Sequence, residues 1–252
     1  MIAPPFDWII PLAAAPFIGS FLSVLVVRLP KGEDIVSARS HCRCCNRILT
    51  PIELVPVVSW LAQNGKCRGC GAKVDTLYPI MEVAAVAVVL CALPIVGREL
   101  LWITAVLGWM LIALIAMDLR EFILSDALTL PLVAIGLAVA WWLEPASVHL
   151  HVLGAALGFV LMFGANWTYN AFRGRDGLGQ GDAKLMAAAG AWVGVEGVGT
   201  VLLYAAVIGL ALAMAQRVAG KQIDATTPIP FGVGIASGLW LVWLGGPLFL
   251  AV

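Results

Sequence analysis

Residues 100–118 read LLWITAVLGWMLIALIAMD. The first eighteen carry no charge, and the run ends on Asp118. At about 1.5 Å of rise per residue, eighteen residues of helix reach roughly 27 Å, close to the ~30 Å hydrocarbon core of a bilayer. The run is continuously apolar rather than alternating, which excludes a β-barrel strand. The same pattern recurs along the chain. Candidate spans fall at 8–27, 78–96, 100–117, 127–143, 150–170, 183–195, 198–216 and 231–250. The stretch 183–195 (AKLMAAAGAWVGV) is short and rich in small residues, so seven spans remain an alternative. The expected fold is an all-α polytopic membrane protein of about eight transmembrane helices.

Composition agrees. Of 252 residues 62% are hydrophobic and 12% charged, with mean hydropathy +0.98. A soluble domain is nearer half apolar and a quarter charged, so a soluble enzyme is excluded, and a disordered chain needs far more charge. Fifteen basic residues balance fifteen acidic ones, leaving no global attraction to nucleic acid.

Where the basic residues sit is more informative. Residues 28–77 hold Arg28, Lys31, Arg39, Arg43, Arg47, Lys66, Arg68 and Lys73. Arg120 follows the third candidate span, Arg173, Arg175 and Lys184 surround the loop after the fifth, and Arg217 and Lys221 follow the seventh. Only Arg98 lies in an alternate loop, so 14 of 15 basic residues share one side. Basic loops mark the cytosolic side, which predicts both termini outside the cytosol. The leading MIAPPFD carries Asp7 and no basic residue, unlike a cleavable signal. The expected organisation is a first transmembrane helix at 1–27, a cytosolic loop at 28–77 and seven helices at 78–252. Glycines four apart at Gly154/Gly158, Gly190/Gly194 and Gly234/Gly238 suit close helix packing in lipid, although glycine is common in membrane helices generally.

Five of the six cysteines lie within 42–70. Cys42, Cys45, Cys67 and Cys70 form two CxxC pairs separated by 21 residues. Each pair offers two thiolates from one tight turn, and four soft ligands suit tetrahedral zinc. A reducing cytosol disfavours stable disulfides, and a small loop benefits from a metal staple. Gly69 and Gly71 suit the sharp second turn. Free or redox-active thiols are the alternative, and Cys44 is able to replace Cys45. His41 reads as a solvated loop residue and Cys91 as an inert core residue of the second span.

Asp118 ends an apolar run, and Asp182 closes Gly179-Gln180-Gly181-Asp182 directly ahead of another. Ionisable groups at a membrane boundary are costly and point to function. Two carboxylates on one face can share a proton, one acting as base on water while the other donates to a scissile carbonyl. Alternate glycines before Asp182 let backbone and substrate approach. The plainer readings are an N-cap for Asp182 and an interfacial ion pair with Arg120 for Asp118.

Other short motifs surround these groups. Gly19-Ser20-Phe21-Leu22-Ser23-Val24 precedes Arg28-Leu29-Pro30. Glu53 opens a stretch through Trp60, Gly65-Lys66-Cys67 follows, and Tyr78-Pro79-Ile80-Met81-Glu82 begins the second span. Asp126 lies eight residues after Asp118, Gly177 to Leu185 reads GLGQGDAKL with Lys184 behind the aspartate, and Pro230-Phe231-Gly232 precedes the last span. Together, in this order over nearly the whole chain, these motifs resemble the type IV prepilin peptidases, membrane aspartic proteases of the GxGD type. Ser23 stands where the family has Asn, Ser125 and Arg43 where it has Pro, and Val233 where it has the last Pro of PFGP.

The resemblance implies a bacterial inner-membrane protein with its active site on the cytosolic side. It implies that Asp118 and Asp182 are the catalytic pair, supported by Gly179, Gly181, Asp126 and Lys184. The substrates implied are prepilins or secretion pseudopilins, met in the lipid through their hydrophobic N-terminal helices and relieved of a basic leader. Many members also methylate the new N-terminus with S-adenosylmethionine, an activity associated with the large loop. Glu53, Gly65 and Glu82 match motif positions near it and are candidates there. The loop carries eight basic and four acidic residues, a net +4, and contains no GxGxxG nucleotide fingerprint. Three rivals stand beside this reading: a presenilin-like protease cutting within a substrate span, a transporter using membrane carboxylates, and a non-enzymatic zinc-stapled scaffold.

Overall fold

The computed structural model describes residues 8–174, 179–220 and 228–248. Asp7, Arg175, Gly177, Leu178 and Lys221 lie outside them. Among the described residues the regular structure is helical, and no strand forms beyond two isolated bridges in the cysteine loop. The helices are α1 (Ile9–Arg28), α2 (Val58–Ala62), α3 (Leu77–Ala92), α4 (Leu101–Glu121), α5 (Asp126–Leu143), α6 (Val148–Arg173), α7 (Gln180–Val218) and α8 (Phe231–Gly245).

Five helical stretches are long and apolar enough to cross a membrane: Ile9–Lys31, Leu101–Glu121, Asp126–Leu143, Pro145–Arg173 and Gln180–Val218. The helices α3 and α8 are apolar but shorter, at 16 and 15 residues. Six of the eight candidate spans each coincide with one helix. The remaining two, 183–195 and 198–216, are arms of α7. Its 39 residues would reach about 58 Å if straight, nearly twice a bilayer core. It is not straight. Gly194 breaks it with φ 68° and ψ 177°, a conformation that a side chain would resist. One turn earlier, a ring N–H of His151 on α6 donates to the Ala191 carbonyl at 3.0 Å, which sets the proton on Nδ1.

The chain forms two compact units, residues 1–113 and 114–252. In the first, α1 packs on α3. A Cβ at Gly19 would stand 2.5 Å from the Met81 carbonyl oxygen and 2.6 Å from the Glu82 Cα, so the two backbones touch there. Trp109 donates its indole N–H to the Ala85 carbonyl at 3.0 Å, satisfying a buried donor.

In the second unit α7 is the centre, with α5, α6 and α8 against it. The three glycine pairs seen in the sequence all lie at these contacts. A Cβ at Gly154 would meet the Gly190 carbonyl oxygen at 2.7 Å, and one at Gly158 the Met186 oxygen at 2.4 Å. These contacts seat α6 antiparallel on the first arm of α7. Gly234 and Gly238 likewise face the Ala205 and Val201 carbonyls of the second arm, at 2.6 and 2.9 Å, and seat α8. Without water to drive association, backbone approach of this kind is how helices gain contact in lipid. Trp192 closes the α5 side, donating to the Leu132 carbonyl at 2.9 Å with its ring over Gly136.

Gly190→Leu places its Cβ 2.1 Å from the Gly154 oxygen, backbone that cannot swing away. It should destabilise the second unit by about 1–3 kcal/mol or more, as overpacking does. Gly164→Ala, on the same α6 but with no atom near its Cβ, should be neutral or stabilising by about 0.5–1 kcal/mol. Thermal unfolding of the two variants in detergent checks the contrast.

Candidate active site and cysteine cluster

Charged side chains rarely bury without purpose. Among the described residues five are buried: Arg28, Glu53, Glu82, Asp118 and Asp182. All five belong to the short motifs of the sequence.

Asp118 lies in the last turn of α4 and is 5% exposed. Its Oδ2 accepts the Val233 N–H at 3.0 Å, a backbone donor in the first turn of α8. A Cβ at Gly232 would stand 2.9 Å from that same oxygen, so only glycine lets the α8 terminus approach it. The carboxylate is thus buried and held by backbone. Asp182 is the third residue of α7 and is 8% exposed. Its Oδ2 accepts the Gly179 N–H at 3.1 Å, reaching back across the helix start. Gly179 occupies the cap position itself, so Asp182 is not the N-cap. Leu124 brings the two turns to one face: it touches both the Gly232 position, which abuts the Asp118 carboxylate, and the Gly181 position next to Asp182.

The neighbouring motif residues shape this face. Gly181 lies against Leu124, whose Cβ would be 2.8 Å from a Cβ added there, and Leu124 also touches the Gly232 position at 2.9 Å. Leu124 follows Phe122, which takes a left-handed φ of 54° to turn the chain out of α4. Asp126 does not cap α5; Ser125 does, accepting the Ala127 N–H at 3.3 Å. Asp126 instead pairs with Lys184 at 2.6 Å, joining the start of α5 to the second turn of α7. Gly177 and Leu178 of the aspartate motif lie outside the described residues.

In the loop the four expected cysteines converge. The sulfurs of Cys42, Cys45, Cys67 and Cys70 all lie within 4.8 Å of one another. Cys42 and Cys70 are 3.8 Å apart, Cys45 and Cys67 4.0 Å. Tetrahedral zinc with bonds of ~2.3 Å needs sulfurs about 3.8 Å apart, so the donor set fits. Cys44 is exposed outside the cluster, and its N–H points at the Cys42 sulfur at 3.5 Å.

The two turns are built alike. Cys42 and Cys67 each donate N–H to a carbonyl five residues on, Arg47 and Ala72, at 2.9 Å. The left-handed position is Asn46 in one turn and Gly71 in the other. Gly69 serves differently, leaving room for the Arg47 side chain. The N–H groups of Cys45 and Cys44 hold the Cys42 thiol below its usual range. Those of Cys70 and Gly69 bring Cys67 down to about 6. Both shifts favour the thiolate, the form that binds metal, while the neighbouring Cys45 thiol and burial push Cys70 up to about 12.

Three residues considered for methyl transfer hold the loop together. Glu53 accepts the Thr50 N–H at 3.0 Å and its hydroxyl at 2.9 Å, and pairs with Arg47. Those contacts, the Thr50 amide first, depress its carboxyl to about 2. Gly65, at φ 63°, lies under the Trp60 ring, which a Cβ would meet at 2.8 Å. Glu82 accepts the Val57 N–H at 2.6 Å. Arg28, quoted in a motif but given no role from sequence, donates to the carbonyls of Asp34 and Ala38 at 2.7 and 2.9 Å. Arg43 meets Glu33 at 2.8 Å. His41 is exposed as expected, but Cys91 is exposed on α3 rather than buried in a core, because it falls on the face away from the packed positions.

Comparison with known proteins follows the same division. Residues 14–95 match the bacterial peptidase A24 N-terminal domain, and residues 105–214 match the type IV leader peptidase family. The chain belongs to that family. A prepilin leader peptidase/N-methyltransferase of Burkholderia pseudomallei (strain 1026b) is 35% identical, with 92% of this chain and 84% of the relative aligned. Proteins of the same name from Aeromonas hydrophila and Xanthomonas campestris pv. campestris are 33% and 34% identical, each over 91% of this chain and covering 87% and 88% of the relative. No solved structure matches the chain. Family and apolar helices together make it a multi-pass inner-membrane protein.

Purified chelator-free protein should carry about one zinc per chain. Cys42→Ser with Cys70→Ser should release it, and Cys44→Ser should leave it bound; metal analysis distinguishes them.

The Glu53 contacts add a pH signature. A depressed carboxyl stabilises fully above its ordinary pKa of 4.5, and that contribution fades as pH falls toward about 2. Protease cutting of the loop should therefore be faster in Glu53→Gln than in wild type at pH 7. The difference should narrow when unfolding is compared at pH 3.

Proposed function

We propose that this protein removes the basic leader from prepilins or pseudopilins with Asp118 and Asp182 as an aspartic pair, and methylates the new N-terminus. One observation supports the proteolytic reading: two carboxylates are buried at helix ends around Leu124, each with an oxygen held by a backbone N–H. In a family of leader peptidases, that is the equipment for general acid–base hydrolysis.

The pair shares one proton. The ionised carboxylate takes a proton from water as the water oxygen bonds to the scissile carbonyl carbon. The protonated carboxyl donates to the carbonyl oxygen. The tetrahedral species collapses, the C–N bond breaks, and the leaving nitrogen takes up a proton. Fixing one oxygen of each group to backbone holds the carboxylates oriented, which preorganises both transfers. The Lys184–Asp126 pair keeps the Asp182 turn against α5 and is a positioning contact.

The run of basic residues supports a cytosolic position for these helix ends, with eight crossings if the arms of α7 count as two and both termini outside. A leader with cytosolic charges then meets the pair at the membrane face. Zinc, held by Cys42, Cys45, Cys67 and Cys70, would supply a structural staple joining the two turns. For methylation, S-adenosylmethionine, when bound, would supply the methyl group to the new N-terminal amine. Glu53, Gly65 and Glu82 serve this by shaping the loop 28–77 rather than by touching the donor, in keeping with their contacts. A transporter needs carboxylates near mid-span, whereas Asp118 and Asp182 lie at helix ends.

Asp118→Asn and Asp182→Asn keep the shape but cannot relay a proton, and each should abolish leader removal from a co-expressed prepilin. Asp126→Asn should be milder. Near wild-type processing by either of the first two would exclude the pair. Mass spectrometry of the processed substrate, with methyl donor supplied, should show an added methyl at the new N-terminus.

A further inference from the structure

The loop 28–77 is mostly polar, yet one stretch of it is not. Between Pro51 and Ala62 the side chains of Ile52, Val58 and Leu61 are 71%, 64% and 60% exposed, and Leu54 and Val55 are 41% exposed. Neighbouring side chains of the loop leave this surface uncovered. A contiguous exposed apolar surface marks an interaction site.

Its depth identifies the occupant. The Val57 N–H donates to Glu82, whose backbone also meets α1 at Gly19. Glu82 lies five residues into α3, about 7 Å from its start, and Gly19 lies nine residues before the end of α1, roughly 13 Å from it. The carboxylate leans from there toward the start of α3, so the tip of the stretch is pinned at the first turns of that apolar helix. Holding it there takes a costly backbone: Val57 has φ 60° and ψ −53°, and the Val58 N–H turns back to the Pro56 carbonyl. For a β-branched residue that conformation is a genuine outlier, and such strain persists only where surroundings impose it.

Charge fits the same occupant. Lys31, Arg39, Lys66, Arg68 and Lys73 are exposed on the loop, whose net charge is +4. An anionic leaflet attracts a polybasic segment lying beside it.

We propose that residues 51–62 are an interfacial membrane anchor, with Ile52, Val58 and Leu61 inserted among the phospholipids of the face where α1 ends and α3 begins. The cysteine cluster is thereby held against that leaflet instead of swinging on two tethers. The proposal is independent of the catalytic assignment.

The test uses the wild-type full chain in nanodiscs of phosphatidylethanolamine and phosphatidylglycerol, doped with a phospholipid carrying a diazirine near the top of its acyl chain. After photolysis, adducts are mapped by peptide mass spectrometry. Residues 51–62 should take several-fold more label than residues 66–73 of the second cysteine turn. Replacing Ile52, Val58 and Leu61 together with Ser should bring the 51–62 label down to the level of 66–73. Labelling of α1 and α3 with none above the 66–73 level on 51–62 overturns the proposal. So does photocrosslinking of p-benzoylphenylalanine at position 58 to a second copy or to prepilin in place of lipid.

Discussion

The face that carries Asp118 and Asp182 depends on where the Asp118 carboxylate is held. Its bond from the Val233 N–H joins the end of α4 to the beginning of α8, two elements 115 positions apart in sequence. A carboxylate taken out of water at a membrane boundary needs such donors to repay its lost hydration. Gly232 is what allows the approach, and Leu124 fills the space between it and Gly181. The loop after α4, the aspartate turn of α7 and the α8 terminus therefore meet as one constellation.

That constellation is held up by α7. Helices in lipid gain little from mutual hydrophobicity, so contact depends on backbone closeness. Gly154, Gly158 and Gly190 supply it on one arm, Gly234 and Gly238 on the other. The break at Gly194 turns one continuous apolar run into two arms with separate partners, and the His151 bond to Ala191 ties α6 to that place. The Asp182 turn sits at the start of the arm that α6 and α5 hold on either side.

The cysteine loop solves a different problem. It has little apolar interior, so its order comes from local bonds: matching N–H contacts in two turns, Arg28 on two carbonyls, Glu53 between Arg47 and Thr50. Glu82 extends this network into α3. The four converging thiols could close it by holding a metal, the usual substitute for a core in so small a region. The three residues that sequence motifs associate with methylation are thus all found in its framework.

Much was legible from residues alone because lipid imposes simple rules. Uninterrupted apolar length fixed the helices, basic residues gathered into alternate loops, and CxxC spacing named the four cysteines that converge. Asp118 and Asp182 stood out because charge at the end of an apolar run is expensive. Tertiary structure decided what depends on distant partners. The backbone donors for the carboxylates come from Gly179 and Val233, the latter far away in sequence. Two candidate spans proved to be arms of one kinked helix, since apolarity reports burial in lipid but not the single φ at Gly194 that bends the chain. Asp126 proved to hold Lys184 while Ser125 capped α5. Cys91 turned outward because a membrane helix is apolar on all sides, so hydropathy cannot tell a packed face from one that meets lipid.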